Sequence, residues 1–396
     1  MMVRKSWYWI VALITIWACD ADDVSNTIIV TSPIEVGFTT VFATATEGSV
    51  TEYTIDFSKE ATEAGVIEIS LDLSQAEIDQ DFTIVPAPAE ETLKLPFSAG
   101  STSVTFTIEA LTDADDDVEV LHMTISSIPG FMELSDGSNV FELRLRDNTT
   151  STEVLTVITW NIENYPKQGN TTIQKVAEII SAMDADVIAF QEMDDPSAFT
   201  QLDNLLTDWE GALYDVRGGI ELAYLYKPEE ITAFSALSTI YNDDNSAFPR
   251  QPVVVTATHI SGEEVILVNI HLKCCSEGEN RRADASAKLK NYIDSNWPDE
   301  NVVVLGDFND DILSGSPFSN FINDSENYEF ADMPIAIGSS ANWSYPGWPS
   351  HIDHILITNE LADNLTGSEV LRLDETVSSY DAHVSDHRPV TATFSF

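Results

Sequence analysis

The stretch Val302-Val303-Val304-Leu305-Gly306-Asp307-Phe308-Asn309-Asp310 decides how this chain is read. Four apolar residues in a row read as a short, fully buried strand. Gly306 is then expected to let the backbone turn sharply. Asp307 and Asn309 stand two apart, so on an extended stretch both side chains face the same way. A carboxylate and an amide at the end of a buried strand suit a divalent cation or a phosphate oxygen. An Asx turn closing a hairpin uses the same residue types and is the alternative.

Outward from this stretch, residues 151–396 alternate strand and helix patterns. Val154–Trp160, Val187–Phe190 and Ala223–Tyr226 read as strands. So do Val253–Thr258 and Val265–Ile270, as a hairpin around Gly262, and then Ile355–Thr358 and Pro389–Phe394. Ile173–Met183 and Ala283–Ile293 have helical spacing. Two β-rich halves, each followed by helix, predict a packed α+β sandwich. Polar residues recur at the strand ends: Asn161, Gln191-Glu192, Asn269 with His271, Asp307 with Asn309, Asp353-His354 and Asp386-His387. A strand-end Asn is ordinarily a turn residue and a lone His ordinarily structural. Six strand ends carrying only such groups are hard to assign to turns alone.

These motifs resemble the endonuclease/exonuclease/phosphatase superfamily, which includes deoxyribonuclease I, exonuclease III and bacterial sphingomyelinases. The matching segments, all in family order, are Thr159-Trp160-Asn161-Ile162, Gln191-Glu192, Asn269-Ile270-His271-Leu272, Gly306-Asp307-Phe308-Asn309, Ile352-Asp353-His354-Ile355 and Ser385-Asp386-His387-Arg388-Pro389. The resemblance implies a four-layered α/β sandwich that hydrolyses phosphate esters with Mg²⁺ or Mn²⁺. It makes Glu192 the principal metal ligand, with Asn161 and Asp386 nearby. Asp307 and Asn309 would position or activate the attacking water and hold the phosphate, and His271 would contact a phosphate oxygen or protonate the leaving group. Asp353 would pair with His387, and Asn269 would lie on the substrate side. Arg250 resembles a substrate-contacting Arg of nuclease members, a surface ion pair being its alternative. Nucleic acid is the expected substrate. A phospholipid or small phosphate ester is the alternative, with Trp343-Ser344-Tyr345-Pro346-Gly347-Trp348 as a candidate membrane loop or set of core aromatics.

Residues 20–150 carry no helix signature. Alternating runs at Thr39–Thr46, Tyr53–Phe57, Val66–Leu73, Val104–Ile108, Val120–Ile125 and Val140–Leu145, separated by Gly, Pro, Ser and Asp, predict an all-β sandwich. Ala45-Thr46-Glu47-Gly48, Val104–Ile108 and Arg146-Asp147-Asn148 resemble a Calx-β domain, whose acidic loops bind Ca²⁺; here Asp113–Asp117 would be such a loop. A spacer sandwich with solvated acidic loops is the alternative. Asp147 through Glu153 reads as the linker.

Residues 1–19 have the length and charge of a signal peptide: Arg4 and Lys5, then an apolar run from Trp7 to Trp17 too short to span a bilayer. Ala18-Cys19 resembles a bacterial lipobox, although Trp17 stands where a small residue is usual. It implies an extracytoplasmic protein anchored to the membrane through lipid on Cys19; simple secretion is the alternative. Cys274 and Cys275 are the only other cysteines and supply no disulfide framework. They read as packed thiols or as a strained vicinal pair. Net charge is −48, from 18 basic and 66 acidic residues, and both parts of the chain share the excess of acid. This excludes a broad basic nucleic-acid-binding face. No protein partner is expected.

Overall fold

A computed structural model describes residues 32–112, 119–146, 154–215, 219, 221–313 and 316–396. The signal-like segment with Cys19, the acidic run Asp113–Asp117 and the stretch Asp147–Glu153 lie outside these residues. Among the described residues no helix is long and apolar enough to cross a membrane. Ile34–Phe396 form one compact unit.

Its first part is a β-rich region of two five-stranded sheets. One runs Phe82–Val85, Ser103–Ala110, Val50–Phe57, Ile34–Phe38, Met132–Leu134; the other runs Phe42–Thr46, Val140–Arg146, Glu119–Ser127, Gly65–Asp72, Thr92–Phe97. Alternate residues of both sheets, among them Val36, Ile55, Phe106, Ile69, Leu121 and Leu143, close a common core.

The second part stacks two further sheets with helices outside them. The first is ordered Glu210–Tyr214, Leu222–Tyr226, Val187–Gln191, Val154–Asn161, Val390–Ser395, Leu365–Val370. The second is ordered Ile231–Phe234, Val253–His259, Glu264–His271, Val302–Asp307, Asp353–Thr358, Tyr328–Phe330, with Ser238–Thr239 also paired to Val253–His259. Odd and even residues of one strand serve different layers. Val303 and Leu305 join Leu155, Val157, Val187, Leu267 and Ile355 in the core between the sheets. Val302 and Val304 face outward onto Leu289 and Ile293 of the helix Glu279–Asn296. On the other outer face Ile158, Trp160 and Phe190 meet Ile173, Val176 and Ile180 of the helix Asn170–Ala182. The four layers expected from the resemblance are therefore present. The period of two then fixes the site. Continuing the inward rows beyond Val157, Ala189, Leu267, Leu305 and Ile355 leads to Asn161, Gln191, His271, Asp307 and Asp353.

The β-rich first part is packed onto this body. Phe42 is 3% exposed and belongs to the core of the helix Asn170–Ala182. Arg144 lies over the Phe42 ring, bonds Glu142 at 2.8 Å and pairs with Glu369. Arg146 pairs with Asp184. Gly137, at φ +64°, sits so close to Ser378 that any side chain would collide with it.

Two local expectations need correction. Gly306 does not turn the chain: the strand Val302–Asp307 continues through it, pairing with Ile270 on one side and His354 on the other. A Cβ at Gly306 would lie 2.0 Å from the Ile270 carbonyl oxygen, so Gly is needed for close approach rather than for a bend. The turn comes later, at Asn309 (φ +57°), which has left the strand and shares no extended face with Asp307. Asp307 Oδ1 accepts the Asn309 N–H at 2.8 Å, so an Asx turn is present, though it closes no hairpin. The helix Pro196–Leu205 was missed. Asp195 caps it by accepting from the N–H groups of Ser197 and Ala198, and Pro196 occupies the first turn.

Candidate active site

At the end of the inter-sheet core the polar residues form two storeys. The lower one is fully buried. Gln191 Nε2 donates to Asn269 Oδ1 at 2.9 Å and exchanges a bond with Thr159 Oγ1. Asn269 Nδ2 donates to the carbonyls of Phe190 (3.0 Å) and Ala223 (3.2 Å) in the opposite sheet. Asn269, expected on the substrate side, has no exposed surface and spends its amide within the protein. It ties the two sheets together beneath the site.

The upper storey holds the reactive groups. Asn161 Nδ2 donates to Asp307 Oδ2 (3.0 Å) and Glu192 Oε1 (3.2 Å), and Asn161 Oδ1 accepts the Glu163 N–H. Asn161 thus brackets two carboxylates through its nitrogen. Glu192 has φ +60°, an unusual conformation for a residue with a side chain. Its Oε2 accepts the Asn164 N–H at 3.1 Å. His271 Nε2 lies 3.5 Å from Asp307 Oδ2 and 3.8 Å from Glu192 Oε1. Burial, helped by Arg250 and His387, holds the His271 ring well below the usual imidazole range. Burial, and then the neighbouring Asp353, pushes Asp307 up to about 7.

His387 Nδ1 is 2.8 Å from Asp353 Oδ2. Burial alone would favour the neutral ring, but Asp353, then Asp307 and Asp386, push its pKa up to about 10. Asp386 lies on the other side, its Oδ1 3.7 Å from His387 Nε2. The Tyr345 ring packs 4.9 Å from the His387 ring. Arg250 is mostly buried, donates to the Leu272 carbonyl at 3.1 Å and senses both Asp307 and Glu192. Asn309 donates to the same carbonyl at 3.2 Å. The structure therefore gathers Asn161, Glu192, His271, Asp307, Asn309, Asp353, Asp386, His387 and Arg250, and leaves Asn269 one layer below.

Glu163 was missed. Its Oε2 accepts the Asp386 N–H at 3.0 Å and pairs with Lys167; burial, helped by Asp386, raises its pKa above the usual carboxylate range although Lys167 opposes the rise. Its spacing from Asn161, two residues, was the available signal. The backbone of Glu163 (φ +42°) and Asn164 (φ +50°) is what folds it back.

The residues present fit a divalent cation. Four carboxylates, Glu192, Asp307, Glu163 and Asp386, gather here, and burial raises Asp307 and Glu163 above the usual carboxylate range. The buried oxygens Asp386 Oδ1 and Asp353 Oδ1 have no hydrogen-bond partner. Asp307, Asp353 and His387 also bring one potential ligand atom each within 4.8 Å of one another. A second such buried group, Asp332, His351 and His354, is already satisfied internally. His354 Nδ1 (2.6 Å) and His351 Nε2 (2.9 Å) both meet Asp332 Oδ2, Ile355 N–H meets Oδ1, and His354 Nε2 meets the Asp310 carbonyl. It is a buried ion pair beside the site.

No curated protein matches the chain by sequence. A humanised D. rerio TDP2 superposes with TM-score 0.51 at 15% identity, covering 61% of this chain and 98% of that one. D. rerio TDP2 complexed with single-strand DNA product gives 0.48 at 15%, with the same coverage. A Bacteroides thetaiotaomicron mannosyl-6-phosphatase gives 0.45 at 15%, covering 60% and 98%. The model of the Endonuclease/Exonuclease/phosphatase family matches residues 158–387, from the strand bearing Asn161 to His387 itself. The chain belongs to the endonuclease/exonuclease/phosphatase family, and is a phosphoesterase.

Proposed function

We propose that this protein is an extracytoplasmic, divalent-metal-dependent phosphodiesterase, with nucleic acid as its substrate. The observation that carries the reading is the His387–Asp353 pair set against the carboxylates of Glu192, Asp307 and Asp386. Glu192 and Asp386, with Glu163 and Asn161 beside them, are the residues that would hold Mg²⁺ or Mn²⁺. The bound cation offsets the negative charge of the phosphate oxygens and of the departing oxygen.

The chain's own groups supply the rest. Asp307, with its pKa near neutrality, is matched to taking a proton from water at physiological pH. Asn309 and His271 offer N–H groups to phosphate oxygens. His387, held protonated by Asp353, places positive charge where charge builds on the phosphate. Arg250 adds a fixed cation at the rim. No Ser or Cys nucleophile enters. Since the protein as a whole is acidic, affinity for nucleic acid rests on these few local contacts.

A second reading, hydrolysis of a phospholipid or small phosphate ester, is favoured by one feature. Tyr345, packed on His387, belongs to a loop that exposes Trp348 (78%), and the preceding turn exposes Ile337 (70%). Lipid anchoring through Cys19 would hold either activity at a membrane surface. The β-rich first part is proposed to be Calx-β-like, with Ca²⁺ held by its acidic loops.

The test is a substrate panel with the full chain: single-strand DNA, RNA, sphingomyelin, inositol phosphates and bis(p-nitrophenyl) phosphate, with and without Mg²⁺ or Mn²⁺. Metal-dependent cleavage of DNA or RNA supports the first reading. Cleavage of sphingomyelin alone selects the second, and full activity in metal-free protein rejects both.

A further inference from the structure

The segment between His271 and the helix Glu279–Asn296 carries Lys273-Cys274-Cys275, which the phosphoester chemistry does not use. Cys275 Sγ lies 2.9 Å from Cys274 Sγ and donates to it. Lys273 Nζ donates to the same sulfur at 3.2 Å. Cys274 is half-buried and Cys275 exposed. We propose that Cys274 and Cys275 form a thiol–disulfide exchange site, which takes a small or protein disulfide as co-reactant, closes to a vicinal disulfide and thereby slows phosphoester hydrolysis.

Three observations carry this. First, the two donors and the nearby Arg250 favour the Cys274 thiolate, which lies below the usual thiol range although burial opposes it. Second, the backbone brings the sulfurs together. Cys275 has φ +72° and ψ 167°, a conformation that residues with side chains rarely adopt. Arg282 holds it there, its Nη1 donating to the carbonyls of Lys273 (2.7 Å) and Cys275 (2.8 Å) while its Nε and Nη2 donate to Asp310 Oδ2. Third, Leu272, two residues before Cys274 and joined to it through the Lys273 that Arg282 holds, is part of the site. The Leu272 carbonyl accepts from both Arg250 and Asn309, and the Leu272 N–H donates to the Asp307 carbonyl.

The exchange balances without another reagent. The Cys274 thiolate attacks one sulfur of R–S–S–R, the S–S bond breaks, and RS⁻ leaves. The Cys275 thiol loses its proton to solvent, and its thiolate attacks the Cys274 sulfur, expelling the second RS⁻. The protein's two thiols are oxidised and one disulfide is reduced to two thiols. Adjacent cysteines close only if the backbone between them moves. That backbone is the one Arg282 clamps, so closure disturbs Leu272 and with it the placing of Arg250 and Asn309. The loss of hydrolysis rests on the phosphoester reading; the ring closure does not.

The experiment treats the full chain with glutathione disulfide, blocks remaining thiols and digests with trypsin. Cleavage after Lys273 and Arg281 leaves both cysteines in one peptide, apart from Cys19. The expected result is a peptide lighter by two hydrogens and a severalfold loss of bis(p-nitrophenyl) phosphate hydrolysis, both reversed by dithiothreitol. Cys275→Ser should keep the untreated activity and stop at the mixed disulfide on Cys274. A peptide that stays dithiol, that carries two glutathiones without closing, or that closes with hydrolysis undiminished overturns the proposal. Untreated protein without any hydrolysis would count against the active-site reading, while the peptide mass would still decide the dithiol.

Discussion

His387 Nδ1 meets Asp353 Oδ2 at 2.8 Å, and Asp353 is also the register partner of Asp307 on the neighbouring strand. One buried carboxylate therefore sets the charge of the histidine and raises the pKa of the aspartate opposite it. Asp386, next to His387 in sequence, sits on the far side of the ring at 3.7 Å. Neighbouring residues thus have different partners: Asp386 is bonded to Glu163 through its N–H, and His387 to Asp353 through its ring.

His387→Ala and Asp353→Asn should each lower turnover about a hundredfold or more, the scale of a positioned acid–base group. Their double variant should be little worse than the worse single one, since groups acting as a unit are non-additive. Turnover numbers from single-turnover kinetics, with folding checked by circular dichroism, decide it. Losses that multiply in full would show that the two act independently.

Chelation by EDTA should abolish hydrolysis and Mg²⁺ or Mn²⁺ should restore it. Glu192→Gln and Glu163→Gln should each raise the metal concentration needed for half-maximal activity, and Glu163→Gln should lower the melting temperature of the metal-free protein slightly, because it gives up the ion pair with Lys167. Metal titration by calorimetry tests this. An unaltered affinity in Glu163→Gln would remove Glu163 from the metal side.

The catalytic half of the chain was legible because its central strands are largely apolar and several of them end in Asn, Gln, His or Asp. A period of two then carries the inward row straight into the site. Functions set by irregular backbone were not legible. Gly306 looks like a turn residue, and only the pairing partner Ile270 shows that it is a contact residue. Glu163 reaches Asp386 through two positive-φ residues that no periodicity announces. Asn269 shares a face with His271 as expected, but its amide is claimed by the opposite sheet. In the first part, Thr92–Phe97 alternates well yet contains Pro96, which argues against a strand. The strand lies at a sheet edge, where a missing N–H costs nothing.

Phe42 tests whether the β-rich first part is a passenger or part of the enzyme's body. Its ring is buried among the helix residues of the catalytic half, with Arg144 over it. Phe42→Ala should cost about 3–5 kcal/mol, the usual loss for a buried aromatic truncated to Ala. Urea unfolding followed both by near-ultraviolet circular dichroism and by residual hydrolysis should show the two signals shifting together. Unfolding of the first part alone, with hydrolysis unchanged, would mark it as an independent passenger.

The buried pair of Asp332 and His354 gives the protein a pH dependence of predictable sign. Burial alone would raise Asp332, but His354 and His351 hold it well below the ordinary carboxylate range. Burial alone would lower His354, but Asp332 and the Asp310 carbonyl hold it above its ordinary value. A depressed Asp contributes stability above its unfolded pKa of about 3.9, lost as pH falls through the folded value. A raised His contributes fully below its unfolded pKa of about 6.5, and loses that contribution as pH climbs through its folded value. The pair should therefore be at full strength between about pH 4 and 6.5 and weaken above. His387, held up by Asp353, adds a slope of the same sign, so the measurement belongs in the His387→Ala protein. There, urea midpoints should fall as pH is taken from 6 to about 9. Asp332→Asn should flatten that slope and cost about 3–5 kcal/mol at pH 6, the loss expected when one partner of a buried ion pair is left alone. A slope that persists undiminished in Asp332→Asn would place its source in other groups and leave His354 neutral in the folded protein.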